Sequence, residues 1–375
     1  MKNRREFLQL SGVLGAGLLA GACQATKIAT NSYDTNSFPL PSLKVSLDRV
    51  IKETVGLRPF RQNGFRVEKE LLGNKTIVHN YGHGGSGWSL SWGTGLLAVN
   101  LAATTGEKKF AVMGCGVIGI TTARLLQLNG YEATIYAKAL PPQVTSSKAT
   151  GTWSPSYRLI DEGLLTPEFE ETWKKAASYS FNTYQNLLGL GDIVTWMDEY
   201  VVRKNPGDPT PGHTHRLDLP DLLPNKKILQ HHEHPFQTET VIKQTSMVFN
   251  IPSYLQKHLS DFLAFGGKVV IREFNTLEEV DALQEKCVLN CTGLGSRHLF
   301  KDENLTPIAG QLSFLIPQPD FKYRLTTDDG YAIPRKDGIV LGGNALVGSW
   351  DENPDSQQTE KVVTALQQLM ATLRT

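Results

Sequence analysis

One stretch, Lys109 to Tyr136, constrains the fold of this chain more than any other. Phe110-Ala111-Val112-Met113 is a short apolar run suited to a buried strand, and it enters Gly114-Cys115-Gly116-Val117-Ile118-Gly119. From Ile120 to Asn129 apolar residues recur at helical spacing, Gly130 stops that helix, and Ala133-Thr134-Ile135-Tyr136 has the make-up of a second strand. This is a β-α-β unit with a G-x-G-x-x-G turn in the context that gives the motif meaning. Gly114 permits the tight turn, Gly116 lets the backbone approach a pyrophosphate, and Gly119 lets helix and strand pack closely. Val117 and Ile118 open the helix, whose free N–H groups and positive dipole end suit phosphate. The pattern predicts dinucleotide binding. One detail departs from it. An acidic residue should end the second strand and take the ribose hydroxyls, but Lys138 follows Ala137 here. That contact must be made differently.

About a hundred residues precede this unit, and the first of them read as a targeting signal. Arg4-Arg5-Glu6-Phe7-Leu8 is a twin-arginine pattern, and the run Leu10–Ala22 is too short and Gly-rich for a membrane span. Residues 1–22 are therefore assigned as a twin-arginine signal. The export machinery is the implied partner, and the location is periplasmic or exported. Ala20-Gly21-Ala22-Cys23 fits a lipid anchor at Cys23, which we favour, and also an ordinary A-x-A cleavage site. Residues 23–43, rich in Thr, Asn and Ser, form a flexible tether. The 375 residues, 40% hydrophobic, can build one large domain or two lobes, and a net charge of +1 gives no reason to expect nucleic acid. Cys115 sits in the phosphate turn, and Cys287 and Cys291 are too close in a strand-like stretch to bridge, so no structural disulfide is expected.

Further elements follow from pattern. Arg49–Val55 reads as a strand leading to Gly56-Leu57-Arg58-Pro59-Phe60-Arg61. Thr76-Ile77-Val78 runs into the Gly-rich stretch His79–Trp88, with a helix over Ser89–Ala103 pointing its N-terminus at that loop. His79 and His83 have the spacing of a helical metal pair, but Gly82, Gly84 and Gly85 argue against a helix, and no metal is expected there. Helices are expected over Pro167–Leu188, Pro252–Phe265 and Thr359–Leu373, and a strand over Lys268–Arg272. Gly189–Asn225, rich in Pro, Gly and Asp, reads as irregular. His213, His215, His231, His232 and His234 form a cluster that could bind a transition metal, with a solvated loop the better reading.

These residues resemble a known family. Val78-His-Asn-Tyr-Gly-His-Gly-Gly-Ser-Gly-Trp-Ser-Leu-Ser-Trp-Gly93 is similar to the C-terminal flavin loop of D-amino acid oxidases. Gly56–Arg61 resembles the strand by which that family binds the substrate carboxylate. The nucleotide unit, Thr145–Pro155 and Val288–Gly293 resemble its N-terminal and middle parts. Gly342-Gly343-Asn344 with Trp350 resembles the segment just before the carboxylate strand. The order is rotated, since pieces that belong last in the family come first here, which implies a circular permutation of residues 44–375. The implied fold is α/β, α+β overall: a Rossmann-like FAD-binding domain of the glutathione-reductase type with a second, mixed-sheet substrate domain. Residues 76–158, 251–308 and 338–375 are assigned to the first, and 44–75, 159–250 and 309–337 to the second. The permutation predicts that the body's ends, near Pro39 and Thr375, share one side. It also predicts that the Arg49–Val55 strand lies beside the strand leading into Tyr331.

The resemblance implies FAD, held at the pyrophosphate by Gly114, Gly116, Val117, Ile118 and Gly119. Lys138 and Ala139 flank the ribose, Thr145 and Ser146 lie near the phosphates, and the Phe274 backbone meets the adenine. Gly151 and Thr152 sit beside the flavin ring, and the backbone of Gly85, Gly87, Trp88 and Ser89 faces its pyrimidine edge. Arg58 is the implied carboxylate clamp, because a guanidinium offers two parallel hydrogen bonds. Tyr331 adds a hydroxyl, and the Gly85 carbonyl receives the amine. The implied reaction is oxidation of a D-amino acid at the α-carbon, with O2 or another electron acceptor. Thr327 stands where the animal enzymes carry a second tyrosine on an active-site lid, and the corresponding segment is shorter here. An exported flavin dehydrogenase, a glycine- or sarcosine-type amine oxidase and a non-catalytic nucleotide-fold binding protein stay open. An NAD-dependent dehydrogenase has only the common fingerprint in its favour.

Overall fold

The computed structural model describes residues 40–205, 217–238 and 240–374. The twin-arginine stretch, Cys23, His213 and His215 lie outside the described residues. Among the described residues, fifteen strands form two sheets: β1 Val50–Arg61, β2 Arg66–Leu72, β3 Lys75–Tyr81, β4 Lys109–Met113, β5 Glu132–Ala137, β6 Val194–Arg203, β7 Lys227–Leu229, β8 Thr240–Phe249, β9 Lys268–Ile271, β10 Cys287–Asn290, β11 Leu305–Leu315, β12 Arg324–Thr326, β13 Tyr331–Arg335, β14 Gly338–Gly342 and β15 Leu346–Val347.

The six-stranded sheet has the order β2-β3-β10-β4-β5-β9 and is parallel throughout except for the antiparallel edge pair β2·β3. Phe110, Ala111, Val112 and Met113 are wholly buried in its centre, as a strand covered on both faces demands. Helices Gly87–Ala103 and Val117–Leu128 pack side by side and onto this core. The first is enclosed so tightly that a Cβ on Gly93 would stand 2.0 Å from the Ala176 carbonyl oxygen of helix Pro167–Gln185. The nine-stranded sheet runs β1-β11-β14-β13-β12-β6-β8-β7, with β15 also on β11. Its pairs are antiparallel except β12 with β6.

The expected helices and the central strands form within a few residues of their expected limits. Cys115, Cys287 and Cys291 are free and buried. Three expectations need correction. Gly189–Asn225 is not all irregular, because β6 occupies Val194–Arg203. Its ten-residue ladder to β8 is a non-local pairing that Gly- and Pro-rich flanks conceal. Residues 66–72, grouped with the second sheet, instead form a hairpin with β3 through Gly73-Asn74 in the six-stranded sheet. The Arg49–Val55 strand continues as β1 to Arg61 and pairs with β11, so two strands, β11 and β14, separate it from the one that begins at Tyr331.

The described ends of the body pack together. Leu40, Leu43 and Val45 share a cluster with Val363, Leu366, Met370 and Leu373 of the last helix, Ser356–Ala371, and its tail. Tyr323 Oη donates to the Pro41 carbonyl at 2.9 Å. Arg374 closes the same region by donating to His231 Nδ1 at 2.7 Å, which uses the His231–His234 turn as a structural fastening.

Candidate active site

The phosphate turn is built as its glycines require. Gly114 has φ +106, and a Cβ there would lie 2.5 Å from the Cys291 carbonyl oxygen. A Cβ on Gly119 would lie 2.0 Å from the Gly114 carbonyl oxygen, so helix and strand meet backbone to backbone. The short turn Thr145–Lys148 crosses the front of this loop. Ser146 Oγ accepts from the Val117 amide at 2.9 Å, and a Cβ on Gly116 would be 2.9 Å from the same oxygen. Geometry leaves the amides of Val117, Ile118 and Gly119 at the helix start without intrahelical acceptors.

The second Gly-rich loop is brought against the first. Trp88 Nε1 donates to the Ser146 carbonyl at 3.1 Å, and a Cβ on Gly87 would be 3.9 Å from Ile118 Cδ1. Two helix N-termini therefore converge on one place, a strong preference for negative charge. Ser89 Oγ accepts from the Ser154 amide at 2.7 Å and thereby ties in the segment carrying Gly151 and Thr152. Thr152 also bridges to Val248 at the end of β8. Arg335 Nη1 donates to the carbonyls of Ala149 (2.7 Å) and Thr150 (3.1 Å), fixing that segment to the nine-stranded sheet.

Arg58 and Tyr331 lie on one face of the nine-stranded sheet. Register carries the face from Arg58 opposite Ile308, through Gly310 and Leu312, to Gly342 opposite Leu312 and Tyr331 opposite Gly342. The two glycines make room. A Cβ on Gly310 would be 2.1 Å from Arg58 Nη1, and one on Gly342 would be 2.4 Å from the Tyr331 hydroxyl. Arg58 Nη1 is buried with no hydrogen-bond partner among the described residues. Such a donor costs about 1–3 kcal/mol unless something accepts from it. Burial raises the Tyr331 hydroxyl well above the ordinary phenol range, against the pull of the nearby Arg58, so it stays protonated and can donate.

Tyr157 is the residue that motif matching missed. Its ring lies 5.9 Å from the Arg58 guanidinium carbon, and a Cβ on Gly85 would be 2.3 Å from its Cδ1. It thus joins the Gly85 loop to Arg58. No spacing signal marks it, because the contact depends on a turn in which Arg158 takes φ +47. Arg61 and Arg66 are taken up by ion pairs: Arg61 with Asp302 at 2.9 Å and Arg66 with Glu68 and Glu70. At the other end, Lys138 is exposed and its Nζ lies 3.2 Å from Glu273, next to Phe274, whose ring meets Tyr136 edge-on. Lys138, Ala139 and Phe274 thus gather where β5 and β9 end.

His79 lies in β3 and His83 beyond it, so they share no helix. His83 is 2% exposed, with Nε2 2.9 Å from Thr94 Oγ1. Burial lowers its pKa to about 3, and that of His258 to about 4. Both are neutral in the fold, whereas the unfolded chain protonates near pH 6.5. Their stabilisation is complete above that value and is lost as pH falls toward the folded values. Between about pH 6 and 4.5 each should cost roughly 1.4 kcal/mol per pH unit. Urea melts of His83→Gln should show a shallower pH slope by about that amount, and an unchanged slope would count against a buried neutral His83.

Residues 109–375 match the family described as FAD dependent oxidoreductase. A D-amino acid oxidase of Dugesia ryukyuensis is 25% identical over 272 residues, covering 69% of this chain and 77% of that protein. A D-amino-acid oxidase of Dictyostelium discoideum is 28% identical over 258 residues, covering 67% of this chain and 70% of that protein. Among solved structures, an L-amino acid deaminase from Proteus vulgaris lacking its specific insertion superposes with a TM-score of 0.51 at 15% identity, covering 71% of this chain and 75% of that one. At that identity the likeness concerns fold alone. The family match opens at β4, so β1 to β3, with Arg58 and the second Gly-rich loop, lie before it.

Proposed function

The chain belongs to the FAD dependent oxidoreductase family, with FAD as its cofactor, and from that premise we propose that it oxidises D-amino acids at the α-carbon. The observation that carries this reading is the buried, unpartnered Nη1 of Arg58 on the glycine floor it shares with Tyr331. The residues present suit the cofactor. Gly116 leaves its approach to the helix start open, and a side chain there would crowd Ser146. Gly114, Gly116, Val117, Ile118 and Gly119 would hold the pyrophosphate with Thr145 and Ser146, and Lys138, Ala139 and Phe274 the adenosine. Gly151, Thr152, Gly85, Gly87, Trp88 and Ser89 would surround the ring. When bound, FAD supplies the acceptor for the hydride that leaves the α-carbon.

Arg58 takes the substrate carboxylate through paired charge-assisted hydrogen bonds, and the protonated Tyr331 hydroxyl donates a further one. The Gly85 carbonyl accepts from the amine. Tyr157 walls the space between them and keeps water from the guanidinium. The imino acid product then hydrolyses to a 2-oxo acid and ammonia, with dioxygen as final acceptor and peroxide as co-product. The test is anaerobic flavin bleaching over a panel of D- and L-amino acids and glycine, then peroxide measured against oxo acid. Bleaching by L-amino acids or glycine alone would overturn the D-specific reading. Bleaching without stoichiometric peroxide would replace dioxygen by another carrier.

We further propose that the body is circularly permuted and exported. For permutation, support comes from the packing of Leu40 and Leu43 against the last helix, and from the entry of β1 and β3 into both sheets ahead of the matched residues. A chain rearranged to place residues 109–375 before 44–108 through a short linker is expected to fold and bind flavin. Failure to do so with several linkers would sink the permutation. Export rests on Arg4-Arg5-Glu6-Phe7-Leu8. Arg4→Lys with Arg5→Lys is expected to leave the protein in the cytoplasm, as read by cell fractionation. Folded periplasmic protein after that change would remove the signal assignment, and with it the lipid anchor at Cys23.

A further inference from the structure

The nine-stranded sheet carries a second guanidinium that the reaction above leaves idle. Arg324 on β12 is 7% exposed, and its Nη2 meets Glu199 Oε1 at 3.0 Å. Its Nε and Nη1 are buried with no hydrogen-bond partner among the described residues. Register places it on the Tyr331 side of the sheet. Thr326 faces Tyr331, and Arg324, two residues earlier, shares that side. Glu199 lies opposite Arg324, and Gln244 opposite Glu199. The Glu199 carboxylate is held in place, accepting from Thr326 Oγ1 at 2.7 Å and Gln244 Nε2 at 2.6 Å besides Arg324. Ser246, two residues beyond Gln244 on the same side, has a buried hydroxyl that also lacks a partner.

Arg58 Nη1, Arg324 Nε and Nη1, and Ser246 Oγ are thus unpartnered buried polar atoms on one face of one sheet. Folded proteins leave few such atoms, and a group of them on one face points to a polar ligand. Charge narrows its class. On this face Arg324 pairs with Glu199, Arg335 with Asp337 and Arg203 with Asp328, and Lys52 is exposed, which leaves Arg58 as the one enclosed cation without an acidic partner among the described residues. An amino acid with a neutral side chain brings no net charge to balance it, whereas a dicarboxylic amino acid brings one negative charge. Isolated charge in a buried site is costly, so the balanced complex is favoured.

We infer that Arg324 binds the side-chain carboxylate of the substrate, and that acidic D-amino acids are the class this site prefers. The inference rests on oxidation at the α-carbon as read above. In this arrangement Arg58 and Tyr331 hold the α-carboxylate, and Arg324 with Ser246 holds the second one, across the sheet on the β12 side. Glu199 keeps the Arg324 guanidinium in place without consuming Nε or Nη1.

Arg324→Lys is the informative variant, because its ammonium still pairs with Glu199 and avoids an uncompensated buried carboxylate. In the flavin-loaded wild type, kcat/KM should favour D-aspartate or D-glutamate over D-alanine by more than about tenfold. In the variant that ratio should fall by about tenfold or more, with the D-alanine value changed less than about threefold, since a point charge replaces a planar fork. A wild type that prefers D-alanine, or a folded variant that keeps the ratio, overturns the inference. If no amino acid bleaches the flavin, the functional reading fails separately. Binding of succinate against butyrate, read by the flavin absorption shift, then decides the site: succinate binding lost in Arg324→Lys supports it. Equal binding of the two acids, or none, overturns it.

Discussion

Arg58→Ala should lower kcat/KM for the best D-amino acid by roughly two to four decades. The variant loses a charge-assisted bidentate contact worth on the order of 3–5 kcal/mol where water is excluded. Arg58→Lys should recover only part, because an ammonium cannot reproduce two parallel bonds. Flavin should remain bound in both, since the Gly114–Gly119 turn and the Thr145–Lys148 turn do not include Arg58. The measurement is anaerobic reduction rate together with cofactor occupancy. Near-normal reduction by the alanine variant would take Arg58 out of the active site. The structure adds one expectation. Because Arg58 Nη1 has no partner among the described residues, its removal leaves no acceptor stranded there, and the melting temperature should change little beside the activity.

The second large effect belongs to Gly119. A Cβ there would sit 2.0 Å from the Gly114 carbonyl oxygen and 2.8 Å from its carbon, and both are backbone atoms that no rotamer change can clear. Gly119→Ala must therefore open the phosphate turn or shift the helix. A cost of roughly 1–3 kcal/mol in stability is expected, as for other overpacked positions. Loss of flavin should be the greater effect, with occupancy of the purified protein below about a tenth, because the amides of Val117 and Ile118 move with the helix. The readout is the ratio of flavin to protein absorbance. A fully yellow Gly119→Ala protein would show that the turn tolerates displacement and does not set the pyrophosphate position.

Much of this is legible in the sequence, and for a physical reason. Glycines at Gly114 and Gly119 answer to local sterics, and the helix over Val117–Leu128 to a local period, so both could be read directly. Arg58 and Tyr331 were reached through resemblance alone. Nothing in their spacing tells that Gly310 and Gly342 clear a floor between them. β6 was lost because its partner β8 is remote, and Tyr157 because its position depends on the left-handed turn at Arg158. Arg324 could not be singled out from the sequence. Its importance lies in what its donors fail to meet, which is a property of packing and not of pattern. The missing acid at Lys138 was visible, but the Glu273 beside it was not, since two strand ends had to come together first.

The pairing of β1 with β11 has a consequence for the order in which the molecule comes into being. Gly56 faces Gly310, about 250 residues further along, so the ladder that presents Arg58 closes one of the longest loops in the chain. At ribosomal speeds β1 waits on the order of tens of seconds for its partner to be made. Throughout that time it is an unpaired edge with Val55 and Leu57, later buried, open to misassociation. The β4–β5 unit around the phosphate turn, by contrast, is complete within a short span and can form early. Cofactor affinity should therefore mature before substrate affinity does. During refolding, flavin fluorescence should change in an earlier phase than the recovery of carboxylate binding.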